Sequence, residues 1–319
     1  MKKIATREAY GEALVLLGER DPRIVVLDAD LSGSTKTNLF ARRFPERFFN
    51  FGVAEQNLMG AAAGFARQGL IPFASTFAIF ATGRAFEPLR QQIAYPSLNV
   101  KVVASHGGIT VGEDGGSHQT VEDLALMRAL PNMCVVVPAD AVETRKAVEA
   151  IYEHQGPVYM RTGRMKVPVI FDETYSFVLG KGNILEEGED LSIIACGFMV
   201  EPALRAAEIL RKQHNIHPRV VNMATLKPID RELIKDCAQK TGAILTLEEH
   251  SVIGGLGSAV CEVVAELFPV PVERWGILDR FGESGKAEDL IVHFGLTPDK
   301  IVERSHHLIR RKEGTYLRS

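Results

Sequence analysis

The chain has 319 residues, enough for two domains of roughly 100 to 200 residues each. Its 37 basic and 40 acidic residues leave a formal net charge of -3, so no global positive field draws it to nucleic acid or to an anionic membrane. Apolar residues make up 46% of the chain in short interrupted blocks. They never reach the roughly 20-residue run that crosses a bilayer, and "MKKIATREAY" carries no apolar secretory segment, so the expectation is a cytoplasmic, enzyme-like protein.

In chain order, helical spacing covers 6–19, and the branched apolar stretch "RIVVLD" at 23–28 reads as a strand. Helices are expected over 54–68 and 82–93, then a strand in "NVKVVAS" at 99–105 and a helix over 119–130. The strand "MCVVVP" at 133–138, a helix over 140–154 and a further strand inside "PVYMRTGR" complete the first half. Continuous branched apolar strands suit a sheet covered on both faces, and their alternation with helices predicts a parallel α/β sheet.

The Gly-, Glu- and Asp-rich stretch "GKGNILEEGEDL" marks a boundary near 180–190, giving domains 1–185 and 186–319. A second alternation follows, with strands over 192–196, 219–223, 243–247 and 272–276 and helices over 200–213, 229–240, 256–267 and 298–309. The fold class is therefore two α/β domains with mostly parallel sheets. Cys134, Cys196, Cys237 and Cys261 are scattered in apolar contexts and read as buried free thiols.

Within "NFGVAEQNLMGAAAGFA", Glu55 heads a helix whose Gly60 and Gly64 invite close packing. Two readings stay open: an exposed acid favoured by the helix's positive end, or a buried acid that shares a proton with a basic ring nitrogen. Phe73, Phe77 and Phe80 in "IPFASTFAIFATGR" are core, or else Phe77 and Phe80 flank a flat heteroaromatic ring. The segment "ASHGGITVGEDGGSHQTVED" follows a predicted strand and displays His106, Glu113, Asp114 and His118 on a glycine-laden loop. Carboxyl-side crevices of α/β sheets bind ligands at such positions, where acids accept hydroxyl hydrogen bonds and histidines move protons. A solvent-facing turn would use the same residues. Arg7, Asp30, Ser32, Ser34, Thr35, Arg161 and Arg164 are distributed polar positions from which two arginines and a hydroxyl could clamp a phosphate. No Walker loop or GxGxxG fingerprint is present, and no spacing matches a zinc site.

Together "FNFGVAEQNLMG", "PFASTFAIF", "GITVGEDGGSHQ", "NMATLKPID" and "LTLEEHSVIGGLG" resemble the carboxyl-terminal portion of a transketolase, over essentially the whole chain. The resemblance implies a pyrimidine-binding domain followed by a transketolase carboxyl-terminal domain. It implies that Glu55 contacts the aminopyrimidine of thiamine diphosphate and promotes its imino form, which assists loss of the thiazolium proton. It assigns Phe77 and Phe80 to the pyrimidine, Asp114 and His118 to the sugar hydroxyls, with His118 also in the chemistry, and Arg7, Ser34, His106 and Arg164 to the sugar-phosphate end. Arg161 is a nearby candidate only.

Transketolases hold magnesium and the cofactor diphosphate through an amino-terminal domain with a Gly-Asp-Gly signature, which this sequence lacks. The resemblance therefore implies a split enzyme whose partner is an amino-terminal subunit carrying the metal ligands, with no metal ligands on this chain and with two pairs forming a heterotetramer. Its substrates would be small sugar phosphates, exchanged as a two-carbon ketol group. A deoxyxylulose-phosphate-synthase-like chain, a two-oxoacid-dehydrogenase beta-like subunit and a noncatalytic assembly subunit are the rivals. "EEHSVIGGLGSAV", with Glu248, Glu249 and His250, reads as a structural turn before a helix, and His293, His306 and His307 as solvated or packed residues.

Overall fold

A computed structural model describes residues 2–314. Five strands that are buried along their whole length, Ile24–Asp28, Ile71–Ser75, Lys101–Ala104, Cys134–Val136 and Val158–Arg161, form the parallel body of a seven-stranded sheet. Its order is Thr225–Lys227, Cys134–Val136, Val158–Arg161, Lys101–Ala104, Ile71–Ser75, Ile24–Asp28 and Phe48–Asn50. Alternation along a strand divides the core between two faces. Val25 and Leu27 pack with Leu58, Met59 and Leu89 on one side, while Ile24 and Val26 pack with Leu14, Leu17, Val148 and Ile151 on the other. Lys101 interrupts this apolar pattern yet is fully buried, because its Nζ donates to Asn99 Oδ1 at 2.6 Å, the His154 carbonyl at 2.6 Å and the Gly156 carbonyl at 2.9 Å.

The second sheet has the order Val272–Ile277, Ile244–Ser251, Leu191–Ala195, Pro218–Asn222 and Asn183–Glu186, parallel except for the last strand. Helices Val200–His214, Arg231–Thr241, Leu256–Leu267 and Pro298–Lys312 cover it. The halves also share a sheet, since Thr225–Lys227 crosses back and pairs antiparallel with Cys134–Val136. Among the described residues, no helix is long and apolar enough to cross a membrane.

Three local expectations change. The helix expected over 82–93 is a run of π-helical turns, Phe80–Arg84 and Leu89–Ala94, around the short helix Phe86–Pro88. Pro88 has no N–H to give to the Arg84 carbonyl, which instead accepts from Gln56 Nε2 at 3.1 Å. The helix expected over 119–130 forms only over Asp123–Ala129, because Thr120 is committed to a bridge with Gly108. The strand expected over 99–105 forms over Lys101–Ala104, and His106 beyond it takes a left-handed φ of 60°.

Candidate active site

Every residue of the site except Arg7 follows the carboxyl end of a strand in the large sheet, where α/β folds gather ligand-binding groups. Glu55 begins helix Glu55–Arg67 and is buried, 2% exposed, which excludes the exposed-acid reading. Its Oε1 accepts from Arg84 Nη1 at 2.9 Å, and its Oε2 is buried with no hydrogen-bond partner among the described residues. A buried carboxylate oxygen without a donor is uncommon, and it fits a ligand that brings its own N–H. Arg84 was missed in the sequence; its guanidinium lies over the Phe80 ring, 4.7 Å from the centroid, and that i to i+4 pairing is the signal that points to it.

From Phe80 an aromatic row runs inward. Phe77 and Phe80 are nearly parallel, with centroids 5.9 Å apart and 7° between planes. Phe77 stacks in turn on His106 at 3.8 Å and 18°. His118 presents its ring at a steep angle to both, 5.5 Å from Phe80 and 6.3 Å from Phe77. The row is flat-faced and apolar, and it suits a planar heterocycle.

The far end is cationic. Arg7 Nη1 meets His106 Nε2 at 3.3 Å and donates to the Ser34 carbonyl at 2.9 Å, while its Nε is buried without a partner among the described residues. Because Arg7 can only donate, His106 Nε2 is the acceptor and Nδ1 carries the proton towards Ser105 Oγ, 2.8 Å away. Burial first, then Arg7 and Arg164, pushes His106 down to about 3, so it stays neutral. Burial and the neighbouring Arg164 likewise lower Arg7.

Arg164 Nη1 donates to the Val111 carbonyl at 2.6 Å and to Asp114 Oδ2 at 3.2 Å. Ser34 takes part through its backbone, and Asp28, also missed in the sequence, fixes that backbone. The buried Asp28 carboxylate accepts from Leu31 N at 2.6 Å, Thr35 Oγ1 at 2.7 Å and Thr37 Oγ1 at 2.8 Å.

Arg161 lies apart from this end. It is buried at 5% exposure, with Nε 3.5 Å from Asp123 Oδ2 and Nη2 donating to the Glu249 carbonyl at 2.9 Å. It therefore ties the two domains together. The "EEHSVIGGLG" turn is structural in its contacts: Glu248 accepts from the Leu256 and Gly257 amides at 2.7 and 2.8 Å, at the start of helix Leu256–Leu267. His250 accepts from the Ala125 amide at 3.3 Å and donates from Nδ1 to the Ser251 carbonyl at 2.7 Å. Burial holds it down to about 4. Among the described residues, no group of three or more His, Cys, Asp or Glu is placed to hold a metal ion.

These contacts define a class: a two-domain α/β chain carrying a buried acid, a wall of aromatic rings and a cationic end in one continuous row. The pyrimidine-binding domain of transketolase matches residues 2–169 and the transketolase C-terminal domain matches residues 180–301, and the chain belongs to the transketolase family. A chain of Methanocaldococcus jannaschii, named provisionally as a transketolase C-terminal section, is 53% identical over 93% of this chain and 94% of its own length. The 6-deoxy-6-sulfo-D-fructose transketolase subunit of Clostridium sp. (strain MSTE9) is 44% identical over 96% and 95%. A solved structure described as a split gene transketolase, inactive beta4 tetramer, is 56% identical, with a TM-score of 0.91 over 97% of this chain and 99% of that one. The rat and human transketolases match 97% of this chain across only 50% of their own length.

Proposed function

We propose that this chain is one subunit of a split transketolase which, with an amino-terminal subunit, transfers a two-carbon ketol group between sugar phosphates using thiamine diphosphate. The observation that carries the reading is the unpartnered buried Oε2 of Glu55 at one end of the Phe80, Phe77 and His106 row, with Arg7 and Arg164 at the other. When bound, thiamine diphosphate supplies the electron sink for breaking the bond beside a ketose carbonyl. Glu55 Oε2 then holds a proton at a pyrimidine nitrogen, and Arg84 fixes the orientation of its carboxylate through Oε1. Phe77 and Phe80 orient the pyrimidine ring and exclude water from it. Asp114 accepts from sugar hydroxyls, and His118, at the edge of the aromatic row, moves protons on the substrate oxygens. Arg7, Arg164, neutral His106 and the Ser34 segment receive the anionic end of the sugar.

Magnesium and the diphosphate would be held by the partner chain, with domains 1–185 and 186–319 of this chain facing it in a heterotetramer of two pairs. The half-length match to whole transketolases and the inactive beta4 state of a close relative support a partner requirement. A cytoplasmic role in pentose phosphate interconversion goes with this substrate class. A sulfonated sugar is the second reading, favoured by the sulfofructose relative and by a cationic end that receives either tetrahedral anion.

The test is reconstitution with the diphosphate-binding subunit, thiamine diphosphate and magnesium, followed by assays of ketol transfer from phosphorylated and sulfonated ketoses, with pyruvate decarboxylation as the contrast. Transfer from a phosphorylated donor is the expected result. Pyruvate turnover, or no turnover in a cofactor-loaded pair, overturns it.

A further inference from the structure

The loop that bears Asp114 and His118 has little regular structure of its own. It runs from His106 through the single turn Ile109–Val111 and passes Gly112 and Gly115 with φ of 88° and 75° before Thr120 returns to pair with Gly108. Its underside rests on the second domain. A Cβ at Gly115 would meet the Ser284 side chain, and one at Gly116 would meet the Gly282 carbonyl. Glu249 Oε1 accepts from the Thr110 amide at 2.7 Å.

At the centre lies Gln119, 4% exposed. Its Nε2 faces three carbonyls, those of Ile109 and Gly112 in its own loop, each at 3.2 Å, and that of Glu283 in the second domain at 2.9 Å. The NH2 group turns its two N–H donors to these three carbonyls, so two of the carbonyls share one donor; a flipped amide or a carboxylate would set oxygen against oxygen. Its Oε1 is buried without a partner among the described residues, directly against Gly282, where an added Cβ would lie 1.7 Å from it.

We infer that Gln119 is a positioning residue, which with the glycine-bearing segment 279–286 latches the Asp114 and His118 loop to the second domain and thereby sets substrate affinity. The inference rests on the proposed placement of Asp114 and His118 at the sugar. It gives the second domain a share in the site. Two carbonyls of the loop and one of segment 279–286 are drawn to a single amide, so loosening either side moves Asp114 and His118 together. Glu55, Phe77 and Phe80 follow other strands, and the latch reaches the aromatic pair only through the His118 ring.

Gln119→Met keeps the length and removes every hydrogen bond, and Gly282→Ala leaves Gln119 in place but displaces its flexible carboxamide. Amide hydrogen exchange on the isolated chain, which needs no cofactor or partner, is measured first. Exchange in 107–120 and 279–286 rises about tenfold in both variants, the loss expected for one or two hydrogen bonds, while other segments keep their wild-type rates. In the reconstituted pair, KM for the ketose donor then rises about tenfold, and kcat falls with it because His118 is displaced along with Asp114. Unchanged exchange overturns the latch. Raised exchange with unchanged KM, or a fall in kcat alone, overturns the positioning role. Should the wild-type pair fail to transfer a ketol group at all, the functional reading falls, and exchange still decides the latch.

Discussion

Glu55→Gln separates chemistry from stability. The side chain is 2% exposed, and among the described residues its one hydrogen bond is with Arg84, whose own side chain is 51% exposed. A pair half open to water contributes at most about 1 kcal/mol, and the amide keeps the volume and a hydrogen-bonding oxygen for Arg84. Removing a buried charge whose second oxygen has no donor acts in the opposite direction. The net change in unfolding free energy should therefore stay within about 1 kcal/mol, a shift of about 2 to 4 °C in Tm for a chain of this size. A carboxamide cannot hand a proton to a ring nitrogen, so turnover should fall by the full contribution of a positioned acid–base group, about 10²- to 10⁴-fold. The assays are a thermal melt of the isolated chain and steady-state ketol transfer in the reconstituted pair, with cofactor occupancy measured by absorbance or calorimetry. Wild-type turnover in a loaded variant would refute the proton role. A collapse in Tm would show that the acid is structural.

Arg164→Ala should raise KM for a phosphorylated ketose by about tenfold or more and leave KM for its unphosphorylated analogue within about twofold; equal changes for the two substrates would remove Arg164 from the anion end. For His106, held neutral to about 3 against an ordinary 6.5, the unfolded chain binds the extra proton between these values, so its stabilising contribution is complete above 6.5 and declines as pH falls. In urea melts from pH 7 to 5, the stability difference between wild type and His106→Gln should move against wild type by up to about 1.4 kcal/mol per pH unit; a difference that ignores pH contradicts a buried neutral ring. Gly255→Ala would place a Cβ 1.9 Å from Glu248 Oε2 and dislodge a buried carboxylate from the two amides it serves. A loss of about 2 kcal/mol or more is expected by chemical denaturation, and a neutral outcome would show that Glu248 can move freely.

The buried strands were legible because branched apolar runs such as "RIVVLD" and "MCVVVP" have few other places to go. Helices with capped ends and periodic apolar faces were legible for similar reasons, and Ala141–Glu153, capped by Asp140, lies within one residue of its expected limits. Three-residue strands such as Phe48–Asn50 and Thr225–Lys227 were not, because their pairing depends on partners 20 to 90 residues away and on no local pattern. In the candidate site, the stretches holding Phe77, Phe80, His106 and His118 could be named from their composition, and the structure brings their rings together. The cation facing Glu55 was hidden because Arg84 is 29 residues away, and only its four-residue spacing from Phe80 hinted at it. The resemblance already preferred Arg164 and kept Arg161 as a nearby candidate, and strand geometry separates them: Arg161 ends the buried strand Val158–Arg161 and Arg164 lies in the loop beyond it.

The return of Thr225–Lys227 to the large sheet has a practical consequence for dissecting the protein. That strand shields the flank of Cys134–Val136, its neighbour amides Val137 and Gly197 bond across the seam to the Ala224 and Val137 carbonyls, and Lys227 Nζ grips the Arg128 and Leu130 carbonyls. A gene cut near codon 185 would yield an amino-terminal fragment with a naked, greasy border of open backbone groups, the kind of edge that recruits further copies into aggregates. Fragment work on this fold is better served by carrying the crossing strand along, fused through a short tether to the piece it protects.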